Sequence, residues 1–395
     1  MQLHIKLSQL FSWLTLAFAT LFIVLGDASA FETKAKAAYV FDMTTGTILV
    51  SKNADTPLPP ASMSKLMTLY VAFEFIKAGQ LKLDERVPVS KHAQSYGGST
   101  MFLTTRDRVL VEDLLRGIIV LSGNDACAVI AETLSPDGTE AGFAQLMTQR
   151  AKQMGMTNSV FKNSNGWPAT GHQMSMRDLA LLTERLILDF PDFYPMFSQR
   201  EFLFDGRAPA NRLNRNPLLG LGVGADGLKT GHTQEAGYGL VGSAKQGDRR
   251  LIFVFSGLTS TAERAREAEA IVNWAFRQFS VKSFGQKDTK IAVAPVWNGS
   301  SANVGLALSK NLEVLVPVLR DTSVEFVIEY ESPIPAPVRA GQEIGKLIIT
   351  AGNMDAVTVP LLANTSVPVG GFFSRLITAG QSLLNRIINA HEVAL

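Results

Sequence analysis

Cysteine is nearly absent, with one residue, Cys127, in a chain of 395. A single thiol excludes an internal disulfide and any cysteine-rich metal site. Its neighbours Ala126, Ala128, Val129 and Ile130 are apolar, so a packing position is expected for it. Histidine is also scarce. The five, His4, His92, His172, His232 and His391, form no H-x-x-x-H or HExxH pair, which argues against a zinc hydrolase. Charge of one sign is missing too: 37 Lys and Arg against 35 Asp and Glu leave a formal +2. Without clustered basic residues to displace counterions, a nucleic-acid partner is set aside. What is present is 46% apolar and 18% charged residues, which excludes a disordered chain, and the length favours two domains over one. The chemistry must come from ordinary side chains, with no cysteine- or histidine-based metal site.

The two ends differ from the rest. Residues 1–30 run from a short basic start (His4, Lys6) through an apolar run, Leu10 to Leu25, to Ala28-Ser29-Ala30, the small-x-small form of a signal-peptidase site. An uncleaved anchor is the alternative, but about 16 apolar residues fall short of the ~20 that span a bilayer. A cleaved signal peptide, and so an exported chain beginning near Phe31, is the expectation. At the other end, Phe372, Phe373, Leu376, Ile377, Leu383, Leu384, Ile387 and Ile388 recur at three- and four-residue steps, with Arg375 and Arg386 on the opposite face. Val367-Pro368-Val369-Gly370-Gly371 reads as a hinge before this stripe. Residues 367–395 are therefore expected to form an amphipathic helix lying on a membrane surface rather than one docked on the protein's own core.

Between the ends, Ala38, Val40 and Phe41, a Thr44-Thr45-Gly46 turn, and Ile48 to Val50 predict a hairpin. A helix is predicted from Ser62 to Lys77, and mostly helical structure onward to about Leu188. Strands return at Tyr238–Ala244 and Leu251–Gly257, with a helix over Glu263–Phe279. Strands at both ends of a helical middle predict an α+β domain over 31–283 whose sheet joins residues distant in sequence. From 284 to 366 the period becomes two, in Val304-Leu306-Leu308, Leu312-Val314-Val316, Val324-Phe326-Ile328-Tyr330 and Val357-Val359-Leu361, which predicts a small all-β domain.

The chemistry gathers in three short motifs. Ser62-Met63-Ser64-Lys65 is S-x-x-K at the start of a helix, where residues three apart share a face, so Ser62 and Lys65 can meet while Ser64 and Lys65 cannot. A serine needs a base to take its proton. Lysine serves only when neutral, and moving its pKa from ~10.4 toward ~7 costs about 4 to 5 kcal/mol, supplied by burial or by nearby positive charge. Lys229-Thr230-Gly231, followed by His232, offers that second cation on a strand, and Gly231 is expected to let a substrate backbone lie close. Ser122-Gly123-Asn124 offers a hydroxyl for proton relay and an amide to grip a carbonyl. Chance copies exist: Ser159 to Lys162 also fits S-x-x-K, and Ser51-Lys52-Asn53 and Ser309-Lys310-Asn311 fit S-x-N. Ser159 sits among loop formers, and the other two fall outside the interval between S-x-x-K and K-T-G.

Motifs of this kind, in this order, belong to penicillin-binding proteins and class A β-lactamases. Pro60-Ala61-Ser62-Met63-Ser64-Lys65-Leu66-Met67-Thr68, Leu121-Ser122-Gly123-Asn124-Asp125-Ala126 and Asp226-Gly227-Leu228-Lys229-Thr230-Gly231-His232-Thr233 closely resemble the low-molecular-mass penicillin-binding D-alanyl-D-alanine carboxypeptidases. Asn165-Gly166, Ser175-Met176-Arg177-Asp178 and Asn214-Arg215-Asn216 add to the likeness. The resemblance implies a β-lactamase/transpeptidase-like catalytic domain that removes the terminal D-alanine from peptidoglycan stem pentapeptides and is acylated by β-lactams, on the periplasmic face of the bacterial inner membrane. It implies Ser62 as nucleophile, Lys65 as base, Ser122 and Lys229 as proton relay and Asn124 as peptide grip. The backbone N–H groups of Ser62 and His232 would form the oxyanion hole. Lys229, Thr230, Arg215 and Arg266 would bind the substrate carboxylate, with Arg264 a possible substitute for Arg266. An aspartate at the position of Asp178 would order the active-site loop or merely cap a helix. A β-lactamase would want an E-x-x-L-N segment between the second and third motifs, and none is present.

Overall fold

Asp42 turns the chain back on itself, its Oδ1 accepting from the Thr45 N–H at 2.9 Å and the Thr45 hydroxyl at 3.1 Å. This joins β1 (Ala37–Asp42) to β2 (Thr47–Lys52) as the predicted hairpin. The computed structural model describes residues 31–207, 209–318, 323–352 and 354–371. The leader expected over 1–30, and the part of the amphipathic helix expected over 372–395, lie outside the described residues.

After the hairpin a 3-10 turn, Ala61–Ser64, runs directly into α1 (Lys65–Lys77). A small two-stranded ribbon, β3 (Arg86–Pro88) with β4 (Arg108–Leu110), flanks the short α2 (Lys91–Gln94). Then come α3 (Val111–Arg116), α4 (Asn124–Leu134), α5 (Glu140–Gln153) and α6 (Met176–Asp189). Hydroxyls start the later helices by satisfying free N–H groups: Thr139 accepts from Gly142, Ser175 from Asp178 and Ser260 from Glu263. The chain returns to the sheet as β5 (Ala225–Thr233), β6 (Gly237–Gln246) and β7 (Arg249–Leu258), then forms α7 (Thr261–Gln278).

These strands make one antiparallel sheet in the order β2-β1-β7-β6-β5. Pairing β1 with β7 joins the beginning and end of the catalytic region, as the strand–helix–strand pattern predicts. Val241, Ile252 and Val254 from the sheet belong to one core with Leu66, Tyr70 and Phe73 of α1, Ile130 of α4 and Leu179 and Leu186 of α6. Each fully buried side chain of this size contributes roughly 1.5–3 kcal/mol. The core fixes α1 against the sheet, and β5 is left at the sheet's edge.

The β-rich region begins at the end of α7, ahead of the change of texture at 284. There β8 (Phe279–Gly285) runs straight out of the helix and later pairs with β11. It continues through β9 (Lys290–Trp297), β10 (Asn303–Leu308), β11 (Leu312–Pro317), β12 (Val324–Glu329), β13 (Ile334–Pro335), β14 (Glu343–Ala351) and β15 (Val357–Ala363). The larger sheet has the order β12-β14-β15-β10-β9-β13 and its own core, including Leu306, Val314, Leu347 and Leu361. On β12, an edge strand, Phe326 lies exposed and its ring meets Phe284 edge-on at 5.1 Å. One expectation changes: Val367–Gly370 is not a hinge. Val367 is buried and exchanges backbone hydrogen bonds with Val338, while Pro368 and Gly370 bond Ser300 and Asn298. Their backbone groups are thus spent on the β domain, whose described structure extends past 366.

Candidate active site

The first motif works through the geometry of its turn. In a 3-10 helix residues three apart eclipse one another, so Lys65 falls directly beneath Ser62. Ala61, just before the serine, has φ of 49°, in the left-handed region, and Gly166 packs against it. Lys65 is fully buried. Its Nζ lies 2.8 Å from Ser62 Oγ, 2.7 Å from Asn124 Oδ1 and 2.5 Å from the Asn165 carbonyl. An amide oxygen and a backbone carbonyl can only accept, so they claim two N–H groups of the lysine. A neutral amine is then left with its lone pair directed at Ser62, which is where a base has to point.

Burial, helped by the Arg215 cation and opposed by Cys127, Asp125 and Glu140, lowers the Lys65 pKa to about 8. The expectation that Lys229 would be the helping cation is therefore amended, because Arg215 takes that part. Lys229 is itself pushed well below the ordinary lysine value, by burial first, then by the charges on Lys65, Arg215 and Arg264. Two ammonium groups buried in mutual repulsion do not both stay charged at neutral pH.

Ser122 follows a widened helical turn, Gly117–Leu121, and takes a left-handed conformation with φ of 62°. The turn lifts its hydroxyl out of the helix toward β5, where Lys229 Nζ donates to Ser122 Oγ at 3.0 Å. Asn124 opens α4, donating its side-chain amide to the Gly97 carbonyl at 2.9 Å while its oxygen holds Lys65. Side chains alternate along β5. Lys229 and Gly231 share one face, Thr230 and His232 the other. Gly231 differs from the expectation: a Cβ there would lie 2.9 Å from both Pro60 O and Met63 Cγ. Glycine is needed here so that β5 can close on the serine-bearing turn. On the opposite face the exposed His232 stacks on Tyr238 at 3.8 Å, and the Arg264 guanidinium sits 5.8 Å from the same ring.

Of the arginines, Arg215 is placed with the site: it donates to Ser99 Oγ at 2.6 Å and to Asn211 Oδ1 at 3.0 Å. Arg266 is exposed on α7, whereas Arg264 is buried, is held below the ordinary arginine value by burial and by Arg215, and leaves its Nε–H without a partner. Two residues along a helix is about 200° of rotation, so only one of the two can face the sheet. Arg264, which the sequence offers as the substitute for Arg266, is the one turned inward.

The decoy motif resolves on the same physical grounds. Ser159 is buried and donates to Asp178 Oδ2 at 2.7 Å, and Asp178 also accepts from the Asn158 N–H, so this carboxylate ties down a loop while Ser175 does the capping. Cys127 is fully buried, and its thiol is pushed up to about 12 by burial. A cavity of about 490 Å³ adjoins the serine turn, lined by Pro60, Ala61, Trp167, His172 and Thr233 among others. The Asn165 carbonyl was not legible as a ligand of Lys65, because a backbone acceptor leaves no mark in side-chain identity.

A serine with a lysine base one turn away, a second serine–lysine pair and an edge strand bearing K-T-G define the penicillin-interacting class of serine acyl-transfer enzymes. The comparisons agree with that class. Residues 26–259 match the family profile Peptidase S11, D-alanyl-D-alanine carboxypeptidase, and residues 279–369 match that of the penicillin-binding protein 5 C-terminal domain. The chain is 36% identical to D-alanyl-D-alanine carboxypeptidase DacC of Escherichia coli K12, over 87% of this chain and 86% of that one. It is 31% identical to DacF of Bacillus subtilis, over 87% and 88% of the two chains. The crystal structure of penicillin binding protein 5 from Haemophilus influenzae superposes with a TM-score of 0.77 at 30% identity, covering 85% of this chain and 98% of that one. This chain belongs to the D-alanyl-D-alanine carboxypeptidase family of serine peptidases.

Proposed function

We propose that the protein removes the terminal D-alanine from peptidoglycan stem pentapeptides through an acyl-enzyme on Ser62, and that β-lactams acylate the same oxygen. The observation that carries this is the buried Lys65 amine, 2.8 Å from Ser62 Oγ, with its other hydrogens claimed by Asn124 and Asn165. In the forward step Ser62 Oγ bonds the penultimate D-Ala carbonyl carbon as Lys65 takes its proton. The oxyanion forms against the N–H groups of Ser62 and His232. Collapse breaks the C–N bond, and the proton held on Lys65 passes through Ser122 and Lys229 to the departing D-alanine amine, leaving Lys65 neutral. Water then attacks the ester, its proton taken by Lys65 and handed to Ser62 Oγ as the shortened peptide leaves.

Edge position supports the binding pose, because the outer backbone row of β5 has no neighbouring strand within its sheet and can pair with an extended peptide. Asn124 would hold the substrate amide, and Thr230, Arg215 and Arg264 its free carboxylate. The unpaired Nε–H of Arg264 suits a planar anion. The division into a catalytic part and a β domain that positions it on the cell wall is likewise our reading.

The test incubates residues 31–371 with fluorescent penicillin and then with a peptide ending in D-Ala-D-Ala. Slow-clearing label on Ser62 and release of free D-alanine are expected; an unlabelled wild type, or penicillin turned over as fast as it binds, would overturn the assignment. We also propose export and peripheral attachment through the C-terminal stripe bearing Arg375 and Arg386. Among the described residues no helix is long and apolar enough to cross a membrane.

A further inference from the structure

We infer that Glu140 is a positioning residue for acylation: it clamps the Ser164–Asn165 segment so that the Asn165 carbonyl is aimed at Lys65, and it keeps a compensating negative charge behind that amine. The inference rests on the carboxypeptidase reading above and concerns a residue outside its three motifs.

Glu140 is the first residue of α5 and is 7% exposed. A carboxylate taken out of water needs donors, and this one is surrounded by them. Its Oε1 accepts from the Ser164 N–H at 2.9 Å and the Ser164 hydroxyl at 2.5 Å, with the Asn165 side-chain amide at 3.4 Å. Its Oε2 accepts from the Tyr96 hydroxyl at 2.6 Å and lies 2.6 Å from His92 Nε2. Burial raises its pKa, but the bonds from Ser164, Tyr96 and His92 outweigh burial and leave the carboxyl below its ordinary value. Its ionised form is the one those bonds favour.

The clamped segment reaches back to the serine-bearing helix at two places. The Ser164 carbonyl accepts from Thr68 Oγ1 at 2.5 Å, and the Asn165 carbonyl accepts from Lys65 Nζ at 2.5 Å. Glu140 is thus one residue removed from the acceptor that turns the lysine lone pair toward Ser62. It also acts through space. The groups bearing on Lys65 are Cys127 and Asp125 from α4, Arg215 from the 211–216 segment, Glu140 from α5, and Lys229 from β5, with His172 near as a neutral ring. Arg215 favours the neutral amine, and Glu140 and Asp125 favour the ammonium that forms when Ser62 gives up its proton. An uncompensated ammonium in this pocket would make that proton transfer uphill.

Two conservative variants separate the clamp from the charge. In Glu140→Gln the amide oxygen still accepts from Ser164 but the charge is gone; in Glu140→Asp the charge stays but the reach shortens. Penicillin acylation rate is measured against pH for the full chain, with thermal unfolding as the control on fold. Glu140→Gln should slow acylation roughly tenfold or more and move the acid limb to lower pH, because Lys65 loses a proton more readily without its counter-charge. Glu140→Asp should be slowed comparably with its limb near the wild-type position. Wild-type rates in both variants, or an unmoved limb in Glu140→Gln, would overturn the inference. Failure of the wild type to take up penicillin would instead sink the underlying carboxypeptidase reading.

Discussion

Lys65 illustrates how much of this site is decided by single atoms. With a pKa of about 8, roughly one amine in ten is neutral at pH 7. The reactive form is the deprotonated one. Acylation of Ser62 should therefore climb about tenfold per pH unit below that value and level off above it, as read from penicillin acylation rates across pH 5 to 9. Lys65→Arg should abolish labelling, because a guanidinium stays protonated throughout this range. Ser64→Ala should leave labelling intact: the Ser64 hydroxyl is buried without a hydrogen-bond partner, so its removal costs the site nothing. Arg264→Ala should raise KM for a peptide with a free C-terminal carboxylate by about 10- to 100-fold, the weight of one charge-assisted hydrogen bond, and Arg266→Ala should leave KM unchanged. The sequence brought these residue types into view and offered both Arg266 and Arg264 on one helix; the two differ only in facing, and facing is fixed by packing.

Between elements, the contact that assembles the site is that of β5 with the serine turn. Gly231 allows it, since a methyl group there would press on the Pro60 carbonyl and on Met63. Gly231→Ala should cost about 1–3 kcal/mol of stability, seen as a lower midpoint in thermal unfolding, and should slow acylation by pushing Lys229 away from Ser122. Gly166→Ala should be worse on both counts. Its Cβ would fall 1.9 Å from the Ala61 carbonyl, and Gly166 has φ of +81°. The hairpin, the serine helix and the alternating strands beyond 303 were readable from periodicity, but the division of the helical middle and the reason for these glycines were not. Both serve close approach between segments distant in the chain, which no local pattern records.

At the scale of the whole molecule, two cores sit in series, one under the catalytic sheet and one inside the β-rich region. The paired backbone of Val338 with Val367, and of Asn298 with Gly370, carries the β domain to residue 370. Removal of residues 372–395 should therefore leave that domain folded and D-alanine release intact, while moving the protein from the membrane fraction to the soluble one. Retention in the membrane fraction would place the attachment at the N-terminal segment instead.

The sequence by itself determined the reaction. The order of S-x-x-K, S-x-N and K-T-G selects a serine nucleophile and a lysine base, since side-chain identity and helical spacing are local properties. Tertiary structure alone decided which arginine of α7 turns inward, which carbonyl holds the lysine, and which donors surround the buried Glu140. Those choices depend on groups brought together from across the chain, Glu140 from one helix, Asn165 from a loop and Arg264 from another helix, and on the burial that sets their charge.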